Sequence, residues 1–244
     1  HQYYQYFYKK NIGVDMIPVD ADFSKYKIVV APVLYMVKDG MKEALENFVK
    51  NGGILITTFM SGIVGQSDNV YLGGYPGPLR EMAGVWVEEI DALAPEQKNK
   101  AKFADGSIAA CGLLCDLMHL EGAKALASYE EDFYAGMPAA SKNTYGKGTT
   151  YYIATQFEEE GLAKILDQAV QEAGVSSVIP EETGLEVVTR VSDTTRFYFV
   201  MNFTDEEQIL PESLTGKKDM ISQKMTEHGM KLKKWDVLLL EEHL

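Results

Sequence analysis

The chain has 244 residues, 46% of them hydrophobic and 11% aromatic, and a formal net charge of -13 from 36 acidic and 23 basic residues. That length suits one large domain or a large one with a small one, with apolar content enough for a packed core. The scattered basic residues and negative charge exclude a nucleic-acid partner, and no apolar run approaches the ~18 residues of a membrane span, so a soluble protein is expected.

The N-terminus has no basic and apolar leader pattern, but His1-Gln2-Tyr3-Tyr4 lies inside a helical pattern with neither an initiator Met nor a cap. A longer polypeptide is therefore expected, with a leader upstream left open. Tyr4, Phe7 and Tyr8 fall at helical spacing, and Gly13 then leads into a strand predicted over Val14-Asp15-Met16-Ile17-Pro18-Val19. The apolar run Lys27 to Val33 reads as a strand covered on both faces. A helix follows, with Asp39 as its cap, Met41, Leu45, Phe48 and Val49 as its stripe, and Asn51-Gly52-Gly53 as its stop. Ile54 to Thr57 reads as another buried strand. Strand, helix and strand in succession predict right-handed parallel crossovers and a doubly wound α/β sheet.

Further along, Tyr145-Gly146-Lys147-Gly148 turns into the strand Tyr151-Tyr152-Ile153-Ala154. A helix from about Glu158 carries Leu162, Ile165, Leu166, Ala169 and Val170 on one face and ends at Gly174. The stretch from Val175 to Gly184 reads as a linker. Beyond it the period changes to two, with Leu185, Val187, Thr189 and Val191, then Phe197, Phe199 and Met201, then Val237 and Leu239. These predict a small antiparallel β domain over 185–244, after an α/β domain over 1–178.

In open α/β folds a nucleophile belongs in the loop after a strand such as Ile54 to Thr57, but Thr58-Phe59-Met60-Ser61-Gly62 lacks the glycine spacing of a nucleophile elbow. Ser61 is expected to hold the turn. Two cysteines, Cys111 and Cys115, are too few for a disulfide framework or a zinc site, and strand spacing is expected to keep them apart, so reduced thiols in a cytoplasmic protein are expected. In Cys115-Asp116-Leu117-Met118-His119-Leu120 an alternating edge strand is the leading reading, with a Cys115/His119 catalytic pair as the alternative. Glu88 and Glu89 are expected to point to opposite faces of a strand, and Glu158, Glu159 and Glu160 to sit at a helix start, so neither set reads as an acid/base pair. Trp235, at a strand start, is expected in the core, the alternative being an aromatic platform for sugar. No catalytic residue, metal site or cofactor is predicted.

Asn69 to Arg80, with three glycines and two prolines, reads as a rigid loop. Asp68, Tyr71, Tyr75, Pro76 and Arg80 are its candidate contacts with a partner, packing on its own domain being equally open.

This loop, with Ser61 to Asp68 before it and Gly84 to Asp91 after it, resembles the middle domain of glycoside hydrolase family 42 β-galactosidases. Further agreement lies in Ala31-Pro32-Val33-Leu34-Tyr35, Asn51-Gly52-Gly53, Asp132 to Ala139 and Tyr145 to Gly148. The resemblance covers residues 1 to about 175, and the β tail by position and pattern only. It implies a flavodoxin-like or class I amidotransferase-like trimerisation domain and a small C-terminal β domain, with the catalytic (β/α)8 barrel and its two glutamates lying outside this chain. No catalytic residue carries across. Where family loops often bear an acidic residue after Ser-Gly-Ile-Val, this chain has Gly65 and Gln66. The expectation is a non-catalytic assembly region of a retaining β-galactosidase acting on terminal β-D-galactosides, whose partners are its own barrel and the other subunits of a homotrimer. The alternatives are a standalone amidotransferase-like enzyme and a carbohydrate-binding module.

Overall fold

The computed structural model describes all residues except 181 and 182. In chain order the helices are α1 (Gln2–Lys9), α2 (Met41–Lys50), α3 (Arg80–Ala83) and α4 (Glu159–Glu172). The longer strands are β1 (Ile28–Ala31), β2 (Ile54–Thr58), β3 (Val85–Ala92), β4 (Asn99–Phe103), β5 (Ile108–Leu120), β6 (Lys124–Tyr129), β7 (Pro138–Tyr145), β8 (Gly148–Ile153), β9 (Thr155–Phe157), β10 (Glu186–Val191) and β11 (Thr195–Met201). The last four are β12 (Gln208–Ile209), β13 (Lys218–Asp219), β14 (Lys231–Leu232) and β15 (Val237–His243). Residues 17–174 form one compact unit, and residues 1–16 with 175–244 form another.

In the 17–174 unit, α2 buries the stripe Met41, Leu45, Phe48 and Val49 against Phe23, Leu55, Leu79 and Met82. Asp39 does not cap it. The cap position is Gly40 at φ +80, and the Asp39 backbone N–H donates to Gln66 Oε1 instead. Gly52 at φ +109 ends the helix, a conformation that favours glycine.

All five residues of β2 are buried, as a strand with neighbours on both edges and cover on both faces requires. It pairs in parallel with β1 and β8. The sheet runs β1-β2-β8-β7-β6-β4-β5-β3, with β9 on β5, and every pairing beyond the parallel corner is antiparallel. The expected wholly parallel, doubly wound sheet is thus corrected to a mixed α/β sheet. The reason is local: Gly146 at φ +63 closes a tight hairpin that reverses the chain between β7 and β8. Because β9 continues β8, this run borders β7 along one stretch and β5 along the next, and the sheet curls back on itself.

The strand predicted over 14–19 does not form. Pro18 lacks the N–H a ladder needs, and Met16 is 84% exposed. The segment instead contains the boundary between the two units.

In the second unit, α1 joins the β domain through Asn11. Its Oδ1 accepts from the Val187 N–H at 2.8 Å, its Nδ2 donates to Leu185 O at 3.3 Å, and its carbonyl accepts from the Val178 N–H at 2.8 Å. Strands order as β10-β11-β15-β13, beside a β12-β14 pair. The period of two is as read, but the buried face is the other one for β11 and β15. Val187, Tyr198, Val200, Leu238 and Leu240 close over Leu210, Leu214 and Leu232, while Phe197, Phe199, Met201 and Leu239 stay half-buried and Val237 is exposed. Register sets this, since Val187 lies opposite Val200 and Val200 opposite Leu238. Trp235 is also not in the core. It is 64% exposed, with φ +71, and meets Phe203 edge-on at 5.8 Å.

Candidate functional site

At the carboxyl ends of β1 and β2, hydroxyls hold the turn together. Ser61 is fully buried, and its Oγ accepts the Leu34 N–H at 3.0 Å and the Thr57 hydroxyl at 2.9 Å. Thr58 Oγ1 accepts the Val33 N–H at 2.7 Å. The first residue with a left-handed backbone after β2 is Met60 at φ +57, whose thioether is no hydrolytic nucleophile, and Gly62 at φ +64 follows it. A groove of about 530 Å³ opens at the other, amino-terminal end of these strands. Phe23, Lys27, Asn47, Phe48, Asn51 and Glu172 line it. Glu172 accepts from Lys142, Thr149 and Tyr151 at 2.7, 2.5 and 2.7 Å. Partial burial raises its carboxyl, but those hydrogen bonds outweigh burial and hold it below the ordinary glutamate range.

Cys115 and His119 do not form a pair. β5 is an inner strand, flanked by β3, β4 and β9, and not the edge expected. Cys115 is wholly buried beside Thr155 Oγ1, 3.5 Å away, and burial raises its thiol. His119 lies four residues on, about 13 Å along an extended strand, with its ring stacked on Trp86 at 4.9 Å and Nε2 at 2.8 Å from Glu88. Cys111 and Cys115 are closer than their spacing suggests. A bulge loops out two residues, so Cys111 faces Phe157 and Cys115 faces Thr155, two ladder positions apart. Among the described residues no group of three or more His, Cys, Asp or Glu is arranged to hold a metal.

Glu88 and Glu89 also depart from the alternation expected. The register jumps from Val87 to Glu89, so Glu88 sits in a bulge and both side chains are exposed. Glu158, Glu159 and Glu160 stand at the start of α4 as predicted, Glu158 paired with Lys98 at 2.9 Å.

The loop over 68–80 is anchored from below. Tyr71 packs against the α2 cluster and donates to Val37 O at 3.2 Å, Tyr75 is half-buried, and Pro76 is buried. Gly73 O accepts from both Arg80 Nη1 and Trp86 Nε1 at 3.0 Å. Arg80 also lies over the Trp86 ring at 5.5 Å and donates through Nε to Glu121 at 2.6 Å. The surface row Glu121, Arg80, Trp86, His119, Glu88 therefore braces a loop that presents Asp68, Val70 and, at 95% exposure, Leu72. The reading from sequence missed Trp86 and Leu72. Asp116 was noticed only as a neighbour of Cys115; an acid inside an apolar alternating run was the signal.

Residues 1–176 match the family described as "Beta-galactosidase trimerisation domain" and residues 184–242 the one described as "Beta-galactosidase C-terminal domain". Beta-galactosidase LacA of Lactobacillus acidophilus is 48% identical over 239 residues, covering 98% of this chain and 35% of the relative. Beta-galactosidase BgaA of Planococcus sp. (strain 'SOS Orange') is 43% identical over 245 residues, covering 98% of this chain and 36% of its own length. The crystal structure of a beta-galactosidase from Bacillus circulans sp. alkalophilus superposes with a TM-score of 0.93 at 41% identity, covering 99% of this chain and 36% of that one. The chain spans about a third of the length of the curated relatives it matches. It belongs to the glycoside hydrolase family 42 β-galactosidases and comprises their trimerisation domain followed by their C-terminal domain.

Proposed function

We propose that this chain is the non-catalytic assembly region of a retaining β-galactosidase that hydrolyses terminal β-D-galactosides, working as a homotrimer in the cytoplasm. The observation that carries the reading is the match of residues 1–176 to the trimerisation family, from a chain about a third as long as its relatives. The catalytic barrel and the neighbouring subunits are its partners, and the galactoside binds only in the longer protein. In sequence terms the assembly domain is 1–178 and the β domain 185–244. The finer fold is flavodoxin-like or class I amidotransferase-like, supported by the parallel β1-β2-β8 corner with α2 between its first two strands. Free, buried thiols at Cys111 and Cys115 suit a reducing compartment.

The loop over 68–80 is the assembly surface. Asp68 and Arg80 stand at its rim, while Tyr71, Tyr75 and Pro76 hold its shape from inside. A firmly braced loop with an apolar tip loses little conformational freedom on docking, which favours a specific contact. Light scattering across a concentration series tests this. A mass three times the 27.2 kDa of one chain, lost on Leu72→Asp, supports the reading; a strict monomer at all concentrations removes assembly from these residues.

A further inference from the structure

Among the described residues two aspartates are buried, Asp116 and Asp219, and the fold treats them differently. Asp219 accepts three backbone N–H groups, from Ile221, Ser222 and Leu239, at 3.2, 2.9 and 3.1 Å, as an ionised carboxylate needs. Asp116, 1% exposed, has one partner for its carboxyl, the Tyr152 hydroxyl at 2.6 Å from Oδ2, and its Oδ1 meets no polar group of the protein. Its partner Tyr152 belongs to an apolar cluster with Val85, Val87, Met118 and Ala154, and Ile90, packed on that cluster, lies opposite Asp116 in the ladder. A carboxylate left so bare in an apolar core is costly, whereas the neutral acid is tolerated.

Among the described residues no compensating cation faces it. From β8 comes Tyr152, and from β6 Tyr129, whose hydroxyl donates to the Asp116 carbonyl at 3.5 Å and to Ala154 O at 3.2 Å. On β3, Asp91 accepts from Tyr134 at 2.9 Å, and Glu88 pairs with His119 on the surface. Arg80 on α3 is committed to Glu121. Tyr75 of the loop packs on the same cluster and exchanges two backbone hydrogen bonds with Val87, at 3.2 and 2.7 Å.

We propose that Asp116 is a proton-operated latch for the 68–80 loop, acting through the cluster that Tyr152 and Tyr75 share: protonated, it lets the face under Tyr75 stay closed, and ionised, it loosens the Tyr75–Val87 bridge and the loop with it. Burial pushes this carboxyl up to about 7, with the Tyr152 hydrogen bond opposing, so the latch works on the approach to neutrality. Its effect on assembly rests on the proposed function, but its effect on the loop does not.

Hydrogen exchange on the whole chain from pH 5 to 8, corrected for intrinsic exchange rates, reads the latch in peptides containing Tyr75 and Val87. In the wild type the opening ratio is expected to rise by up to about tenfold per pH unit and level off above neutrality. In Asp116→Asn, which keeps an acceptor for Tyr152, it stays flat, and peptides around Asp219 show no such rise in either protein. Wild-type and Asn profiles that coincide overturn the proposal. Should the variant fail to fold, the carboxyl carbon shift of Asp116 in the labelled wild type decides: a midpoint near neutrality supports the latch, and one below pH 5 overturns it. Exchange repeated at several protein concentrations separates the two readings: a pH-dependent rise that is the same at all of them belongs to the loop, and one that appears only on dilution belongs to dissociation of the proposed assembly and overturns the latch.

Discussion

A Cβ placed on Gly62 would lie 2.0 Å from the carbonyl oxygen of Pro76, and the position has φ +64. Backbone cannot move aside as a side-chain tip can, so Gly62→Ala is expected to cost on the order of 2 kcal/mol or more and to disturb the loop. Gly40 also has a positive φ, +80, but faces open space, so Gly40→Ala should cost only about 1 kcal/mol. Urea unfolding of both variants separates close approach from backbone strain; equal losses would refute the assigned role of Gly62. The sign of the Asp116 effect on stability is fixed at this scale too. Its folded value is raised, so its stabilising contribution is full below the ordinary aspartate range, is lost as pH rises towards about 7, and changes no further above that.

At the scale of elements, what could be read from sequence depended on whether the signal was local. The α2 stripe, the run of β2 and the glycine hairpin before β8 each follow from spacing over a few residues, and each is where the pattern put it. The mixed sheet was not legible, because parallel and antiparallel partners of β8 are chosen by contacts across the chain. Bulges hid the geometry of two candidate sites, since one extra residue at Glu88 and two between Gly112 and Cys115 cancel the alternation that strand reasoning assumes. The face of β15 was also undetermined: Val237-Leu238-Leu239-Leu240 is apolar at every position, so only the register selects Leu238 and Leu240. Leu240→Ala should therefore cost about 2–5 kcal/mol and Leu239→Ala clearly less. Thermal unfolding checks the order of the two, and the reverse order would mean that the face is wrong.

For the whole molecule, the charge of -13 opposes association of like copies at any distance within the screening length. The apolar contact proposed at Leu72 would have to form against that repulsion. Raising salt from about 0.05 to 0.5 M, which shortens the screening length several-fold, should increase the fraction of trimer in light scattering. A trimer that weakens with salt would place ion pairs, not the apolar tip, at the heart of the contact. Finally, the β5 bulge brings two thiols to within two ladder positions of each other in the interior, where burial pushes Cys111 up to about 12 and leaves neither cysteine exposed. Neither sulfur can meet a dissolved electrophile while the curled sheet stays shut. Both thiols are thus expected to become reactive together when that sheet opens, and their alkylation times the opening where the reagent reacts faster than the sheet recloses.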